Sequence, residues 1–346
     1  MRNRVGAALI ALALLGTLQA CTADDKDDRD EPTPITAVET PVSLSDLPTG
    51  ERVVEDVAAA AETSQVPAGL DPPLPWIATL GTLQPAEQRC VAPYAATQLE
   101  SPCVVGDPEA TKEIVLWGDS HAAQWMPALT QIAAQTGRSL RVMVKYGCPP
   151  LLGLTPWLPA EDRPYTECTE FNGAAVEMIR EVDPELVVLS GAVRGSSFVV
   201  DGEQVELGRA APGNGWRLDA DRDEIWQQGL ASSLDEIGDE SRVVVLGDTP
   251  YPGVDAGVCL PANSERLGRC AVPRSRAVIS EHNEAEAATA TEHGAEHVDP
   301  TSWVCTEQTC PAVVAGRVVY WDSFHLGRSY VLGLSRALGE SLDLLE

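Results

Sequence analysis

Three uninterrupted apolar runs, Ile114-Val115-Leu116-Trp117, Leu186-Val187-Val188-Leu189 and Val243-Val244-Val245-Leu246, constrain this chain more than anything else in it. A strand with one wet face alternates apolar and polar residues, whereas a run without alternation is covered on both faces. Leu140 to Tyr146 reads as a further strand and Glu296 to Asp299 as a short fifth. Helical segments fill the gaps near 122–136, 171–182, 219–238 and 276–293. After Gly327, residues Val331, Leu334, Leu338 and Leu342 fall on one face of a final helix. Strands buried on both sides and alternating with helices predict an α/β fold with a central parallel sheet and right-handed crossovers.

The N-terminus carries an address. Arg2 and Arg4 precede an apolar stretch from Val5 to Leu18, which is short for a membrane span and has the layout of a signal peptide. Leu18-Gln19-Ala20-Cys21 follows and resembles a bacterial lipobox, in which Cys21 would be lipidated. The competing reading is a plain cleaved signal. Residues 1–20 are therefore expected to be a lipoprotein signal, and 21–50 an acidic Pro/Thr tether. Residues 51–112, with a small helix over 51–63, are expected to wrap the core, and 113–346 to form the main domain. The predicted location is the extracytoplasmic face of a bacterial membrane, reached by export and held through a lipid anchor only.

The chain has nine cysteines. An odd number leaves one thiol over in an oxidising compartment, and assigning Cys21 to lipid leaves eight. Short loops close at the least entropic cost, so the default pairing is Cys90–Cys103, Cys148–Cys168, Cys259–Cys270 and Cys305–Cys310. No Cys-x-x-Cys pair occurs, and neither a metal nor another cofactor is expected. His293 and His297 read as surface residues rather than ligands. The formal charge of −28 repels phosphates and argues against nucleic-acid partners.

Gly118-Asp119-Ser120-His121 follows the first strand directly and opens a helix. Parallel sheets build their sites at the carboxyl ends of strands. A serine there has its own N–H and the helix dipole facing any developing oxyanion. Alone, the motif could equally be a helix cap. Asp322-Ser323-Phe324-His325, just before the last helix, supplies what a serine nucleophile needs: a base, and an acid to orient it.

Together these segments resemble the SGNH/GDSL hydrolase superfamily. The likeness is greatest to the SGNH domains fused behind membrane acyltransferase domains in surface-polysaccharide O-acetylating proteins. It runs from about Cys90 to the C-terminus. The markers are Ile114 to Ala122, Gly147-Cys148-Pro149-Pro150, Cys305 with Cys310-Pro311, and Asp322-x-x-His325-Leu326. The resemblance implies a flavodoxin-like three-layer sandwich, decorated here with disulfides. It makes Ser120 the nucleophile, His325 the base and Asp322 the orienting acid. In the superfamily a glycine after the second strand and an asparagine after the third complete the oxyanion hole. Gly147 holds the glycine's place, but Ser190-Gly191-Ala192-Val193-Arg194 offers no asparagine. Either the backbone groups of Ser120, Gly147 and Gly191 suffice, or Arg194 substitutes; otherwise Arg194 is a surface cation. His121, Trp125 and Trp321 are candidate substrate contacts, though most tryptophans in such a chain serve the core.

The expected activity is serine-dependent acyl transfer, or ester hydrolysis, on a cell-wall or surface glycan outside the cytoplasm. No membrane acyltransferase domain is read in the chain, which leaves a separate membrane acyltransferase open as the acyl donor. The other class is a non-catalytic glycan-binding lipoprotein on a degenerate SGNH fold.

Overall fold

The computed structural model describes residues 42–345 apart from 80, 82, 100–102, 108, 212–214 and 239. The signal, Cys21 and most of the tether lie outside the described residues.

Seven strands form the main sheet: β1 (Val91–Ala92), β2 (Cys103–Gly106), β3 (Glu113–Gly118), β4 (Ser139–Lys145), β5 (Leu186–Ser190), β6 (Arg242–Leu246) and β7 (Glu296–Val298). Their order is β1-β4-β3-β5-β6-β7, with every neighbouring pair parallel. Strand β2 pairs antiparallel with the first part of β4, where Cys103 faces Val142. The expected parallel sheet is therefore present, with one antiparallel strand added at its edge. The five strands β4-β3-β5-β6-β7 follow the flavodoxin-like order, which places the topological switch point between β3 and β5.

The unalternating runs are covered on both faces. Ile114, Leu116, Val142, Val188 and Val244 pack under helices α1 (Gly50–Ala61), α2 (Ser120–Gln135), α6 (Arg328–Gly333) and α7 (Ser335–Ser341). Val115, Trp117, Val187, Leu189 and Val245 pack under α3 (Thr166–Val182), α4 (Ala220–Ile237) and α5 (Ser280–Glu292). The result is a three-layer α/β sandwich. Near its C-terminus α2 uses Gln135 to bind the N-terminal segment, accepting from the Leu44 N–H at 2.8 Å. Leu44 and Leu47 are buried in the main core, so the packed chain begins before residue 50, where the acidic tether was expected to end. Charge ceases to dominate there because Val42-Ser43-Leu44-Ser45 offers apolar groups to bury.

A satellite core joins Leu70 and Ile77 to Leu260, Leu267, Val313 and Val318. All four expected disulfides are formed, with Cα–Cα separations from 4.0 to 5.8 Å. The bridges Cys148–Cys168 and Cys305–Cys310 are buried. Among the described residues no helix is long and apolar enough to cross a membrane.

Candidate active site

The end of β3 and the end of β5 lie side by side, with Gly118 opposite Ser190. Gly118 has φ +154°, and a Cβ there would stand 1.8 Å from the Ser190 carbonyl oxygen and 2.8 Å from Ala122 Cβ. Only glycine lets the chain leave the strand and enter α2 in this space. Asp119 caps the helix by accepting the His121 N–H at 2.8 Å. Ser120 is the first helical residue, so its N–H has no intrahelical acceptor and the helix dipole favours negative charge beside it.

The segment from 321 to 327 brings His325 to Ser120. Tyr320 bridges Leu326, and the Trp321 N–H donates to the His325 carbonyl at 3.2 Å. Gln124 of α2 accepts the Leu326 N–H at 2.9 Å, tying this loop to the helix that carries Ser120. The Ser120 hydroxyl lies 2.9 Å from His325 Nε2, and His325 Nδ1 lies 2.8 Å from Asp322 Oδ2. The other oxygen, Asp322 Oδ1, accepts the amides of Phe324 at 2.7 Å and His325 at 2.6 Å. Burial alone would raise Asp322, but the His325 hydrogen bond and these amides outweigh it and hold the carboxyl below its ordinary range. With Asp322 charged, the imidazole is held with hydrogen on Nδ1, leaving Nε2 free to accept from the serine.

A second acidic network lies beneath. Asp248, two residues beyond β6, accepts His121 Nδ1–H at 2.5 Å and the Thr249 N–H at 2.7 Å on Oδ1. Its Oδ2 accepts the Val193 N–H at 3.1 Å and the Tyr251 hydroxyl. The Tyr251 oxygen accepts the Arg194 N–H at 3.1 Å, and Asp119 Oδ2 accepts the Ala192 N–H at 2.9 Å. Burial opposes charge on His121, but Asp248 prevails and the imidazole pKa is raised. Burial pushes Asp119 up despite its partners, and burial with Asp248 nearby raises Tyr251 well above the ordinary phenol. Sequence reading missed Asp248 and Tyr251; the visible signal was Gly247-Asp248 at the end of the apolar run Val243-Val244-Val245-Leu246, a strand end in a parallel sheet.

Two candidate roles change. Trp125 is fully buried and packs edge-on against Trp303 at 6.4 Å, so it is a core residue and not a substrate contact. Five helical residues rotate about 140° around the axis, which turns Trp125 away from the Ser120 side. His121 is also buried, with its ring 5.2 Å from that of His325; it supports the site from below and does not meet substrate at the surface. Gly191 fills a packing position, where a Cβ would meet Pro150, Trp226 and Pro149 at 3.1 to 3.3 Å. Gly147 sits with φ +65° in the turn after β4, and a Cβ there would meet nothing within 4 Å. Trp321 lies against His325, ring to ring at 6.5 Å and 24°. Arg194 is half-buried, its guanidinium 5.2 Å from the Tyr251 ring and 5.4 Å from the Phe324 ring, and burial lowers its pKa. His297 also departs from its surface reading, since its ring is largely buried 3.3 Å from Glu286. Among the described residues no group of three His, Cys, Asp or Glu side chains is arranged to hold a metal ion.

The sequence model of the family described as the SGNH domain fused to AT3 domains matches residues 89–338. No curated protein is similar in sequence. Among solved structures, the periplasmic domain of a lipopolysaccharide acetyltransferase of Salmonella ser. Paratyphi A superposes with a TM-score of 0.51 at 18% identity. The match covers 68% of this chain and 85% of that one. A carbohydrate acetylesterase family member of Sinorhizobium meliloti is similar at 11% identity and a TM-score of 0.37, over 68% of this chain and 98% of that one.

Proposed function

The chain belongs to the family of SGNH domains of the kind fused to AT3 domains, and from that premise we propose that it transfers or hydrolyses acyl esters through Ser120. The observation that carries this reading is the hydrogen-bonded line Ser120–His325–Asp322, at 2.9 and 2.8 Å, at the carboxyl end of β3.

Ser120 Oγ attacks the carbonyl carbon of an acyl ester while His325 Nε2 takes its proton. The carbonyl oxygen becomes anionic beside the Ser120 N–H at the start of α2, with the Gly147 turn on the β4 side. Collapse restores the carbonyl and breaks the ester bond, and His325 returns the proton to the departing oxygen. The acyl-serine then passes to a sugar hydroxyl or to water, with His325 again acting as base. Asp322 keeps the imidazole in the tautomer that both steps need.

The substrate class in this proposal is an O-acylated glycan of the cell wall or cell surface, and acetyl is the acyl group. The structural relative from Salmonella is, by its name, the periplasmic domain of a lipopolysaccharide acetyltransferase. Four disulfides fit folding outside the reducing cytoplasm. Export with lipid attachment at Cys21 would keep the enzyme beside such glycans, where a separate membrane protein could supply the acyl group.

The test is covalent. A fluorophosphonate should add once to the wild type, and mass spectrometry should place it on Ser120. Ser120→Ala should remain unlabelled. Absence of labelling in folded wild type, with retained glycan binding, would favour the non-catalytic alternative.

A further inference from the structure

The segment after β5 holds the place where the superfamily's asparagine would stand, yet its backbone donors are spent. The amides of Ala192, Val193 and Arg194 go to Asp119, Asp248 and the Tyr251 hydroxyl in turn. The His121 amide goes to Asp119 as well. None of these four N–H groups is available to an acyl oxygen. What they achieve is fixation: two carboxylates and a phenol from neighbouring strand ends pin three consecutive amides.

Asp248 is the hub. It is 5% exposed and accepts four hydrogen bonds: from His121 of the nucleophile's helix, from Val193, from Thr249 and from Tyr251. Through Tyr251 it also reaches the Arg194 amide. A buried carboxylate satisfied on every side holds its partners far more rigidly than an exposed one. The Arg194 side chain then runs over the faces of Tyr251 and Phe324, rings that meet edge to face at 5.7 Å. Phe324 immediately precedes His325. Arg194 is thus anchored at its backbone by the nucleophile side of the site, and at its side chain by the loop that carries the base.

Resting on the assignment of Ser120 as nucleophile, we propose that Asp248 and Asp119 are positioning residues that clamp the Ala192–Arg194 wall, and that the Arg194 guanidinium thereby supplies the acyl-oxygen donor otherwise given by asparagine. Arginine suits the task because its planar fork of N–H donors stays charged and gains strength as surrounding rings exclude water. In the step described above, the electron pair of the carbonyl π bond moves onto oxygen as Ser120 bonds to carbon. Arg194 N–H groups bind that oxygen and release it on collapse. No proton leaves the guanidinium.

The experiment uses the folded full domain with its disulfides intact. Arg194→Ala should lower kcat for a model acetyl ester by roughly 10²–10³ with little change in KM, and should slow phosphonylation of Ser120 in parallel. Free guanidinium ion should restore part of that loss, and Arg194→Lys should fall between. Phosphonylation and kcat within twofold of wild type in Arg194→Ala would overturn the donor role. Asp248→Asn should speed hydrogen exchange at the Val193 and Arg194 amides at least tenfold and lower kcat by a similar factor. Tyr251→Phe, the milder variant, should loosen Arg194 alone and keeps the test open where Asp248→Asn folds poorly. Exchange at these amides unchanged in a folded variant would overturn the clamp. Exchange needs no turnover, so failure of the clamp and failure of the acyl-serine reading give different results.

Discussion

Single atoms set the limits of this site. Gly118 is the clearest case, because a methyl group there overlaps the Ser190 carbonyl at 1.8 Å and neither backbone can yield without moving the sheet. Overpacking of this kind costs about 1–3 kcal/mol or more, and here the displaced atom precedes Ser120 by two residues. Gly118→Ala is expected to lower the melting temperature and to abolish phosphonate labelling in whatever fraction remains folded. Asp322 makes a different demand. Asp322→Asn keeps the shape but offers an N–H where the His325 tautomer requires an acceptor, so kcat should fall by roughly 10³–10⁴ while the fold survives. Steady-state kinetics and circular dichroism on the same sample check both halves of that statement. Serine, histidine and aspartate were readable in the sequence because two short motifs hold them. Asp248 and Tyr251 were not, since what joins them to His121 and Arg194 is proximity of three strand ends and no fixed spacing. Trp125 misled for the opposite reason: closeness in sequence to Ser120 concealed a helical rotation into the core.

At the scale of elements, the parallel strands could be read because burial on both faces leaves no polar alternation to confuse with anything else. Strand β2 escaped because Cys103-Val104-Val105-Gly106 alternates exposed and half-buried positions inside a Pro-rich stretch. The hairpin of Ser197–Val200 with Glu203–Glu206 also escaped, though its signal was present. Asp201-Gly202 forms the two-residue turn, with φ +54° and +83°, as a tight hairpin requires. The Cys305–Cys310 bridge connects to function through the elements around it. Cys310 pairs with Val272, Ala312 accepts the Val319 N–H at 3.0 Å, and Val319 accepts the Gly327 N–H at 2.8 Å. The chain between Val319 and Gly327 is the one that carries Asp322 and His325. Bracing by the bridge therefore predicts that a Cys305→Ser, Cys310→Ser double variant loses more turnover than folded protein at the assay temperature. A base misplaced by an ångström can cost about a hundredfold. Full turnover in a still-folded double variant would leave the bridge a purely structural clasp.

Across the whole molecule, the face of the sheet away from α2 holds a buried ionic cluster that ties α4, α5 and β7 together. His282 Nδ1 lies 2.7 Å from Asp223, its Nε2 lies 3.6 Å from Glu286, and Glu286 meets His297 at 3.3 Å and the Trp226 indole N–H at 3.1 Å. Gly247 packs against His297, where a Cβ would stand 2.9 Å from Nε2, so this cluster also supports the strand end that leads into Asp248. Burial opposes charge on His282, yet Asp223 and Glu286 raise its pKa from 6.5 to about 10. Burial likewise opposes charge on Glu286, yet His282 and His297 lower it from 4.5 to about 2. The folded state thus holds the His282 proton more tightly than the unfolded chain does. That contribution to stability is complete below pH 6.5 and fades as pH rises towards 10. The folded state binds the Glu286 proton more weakly, so its contribution is complete above pH 4.5 and fades as pH falls towards 2. Both are fully present only between these limits. Removing one partner of such a buried pair costs about 3–5 kcal/mol where the pair is charged. His282→Gln should therefore melt well below wild type at pH 5 to 6, and the gap should narrow steadily through the alkaline range as the wild type itself gives up the proton. Paired melting curves across that range decide the matter, and a gap that stays constant from pH 6 to 10 would remove the charged imidazole from the account of stability.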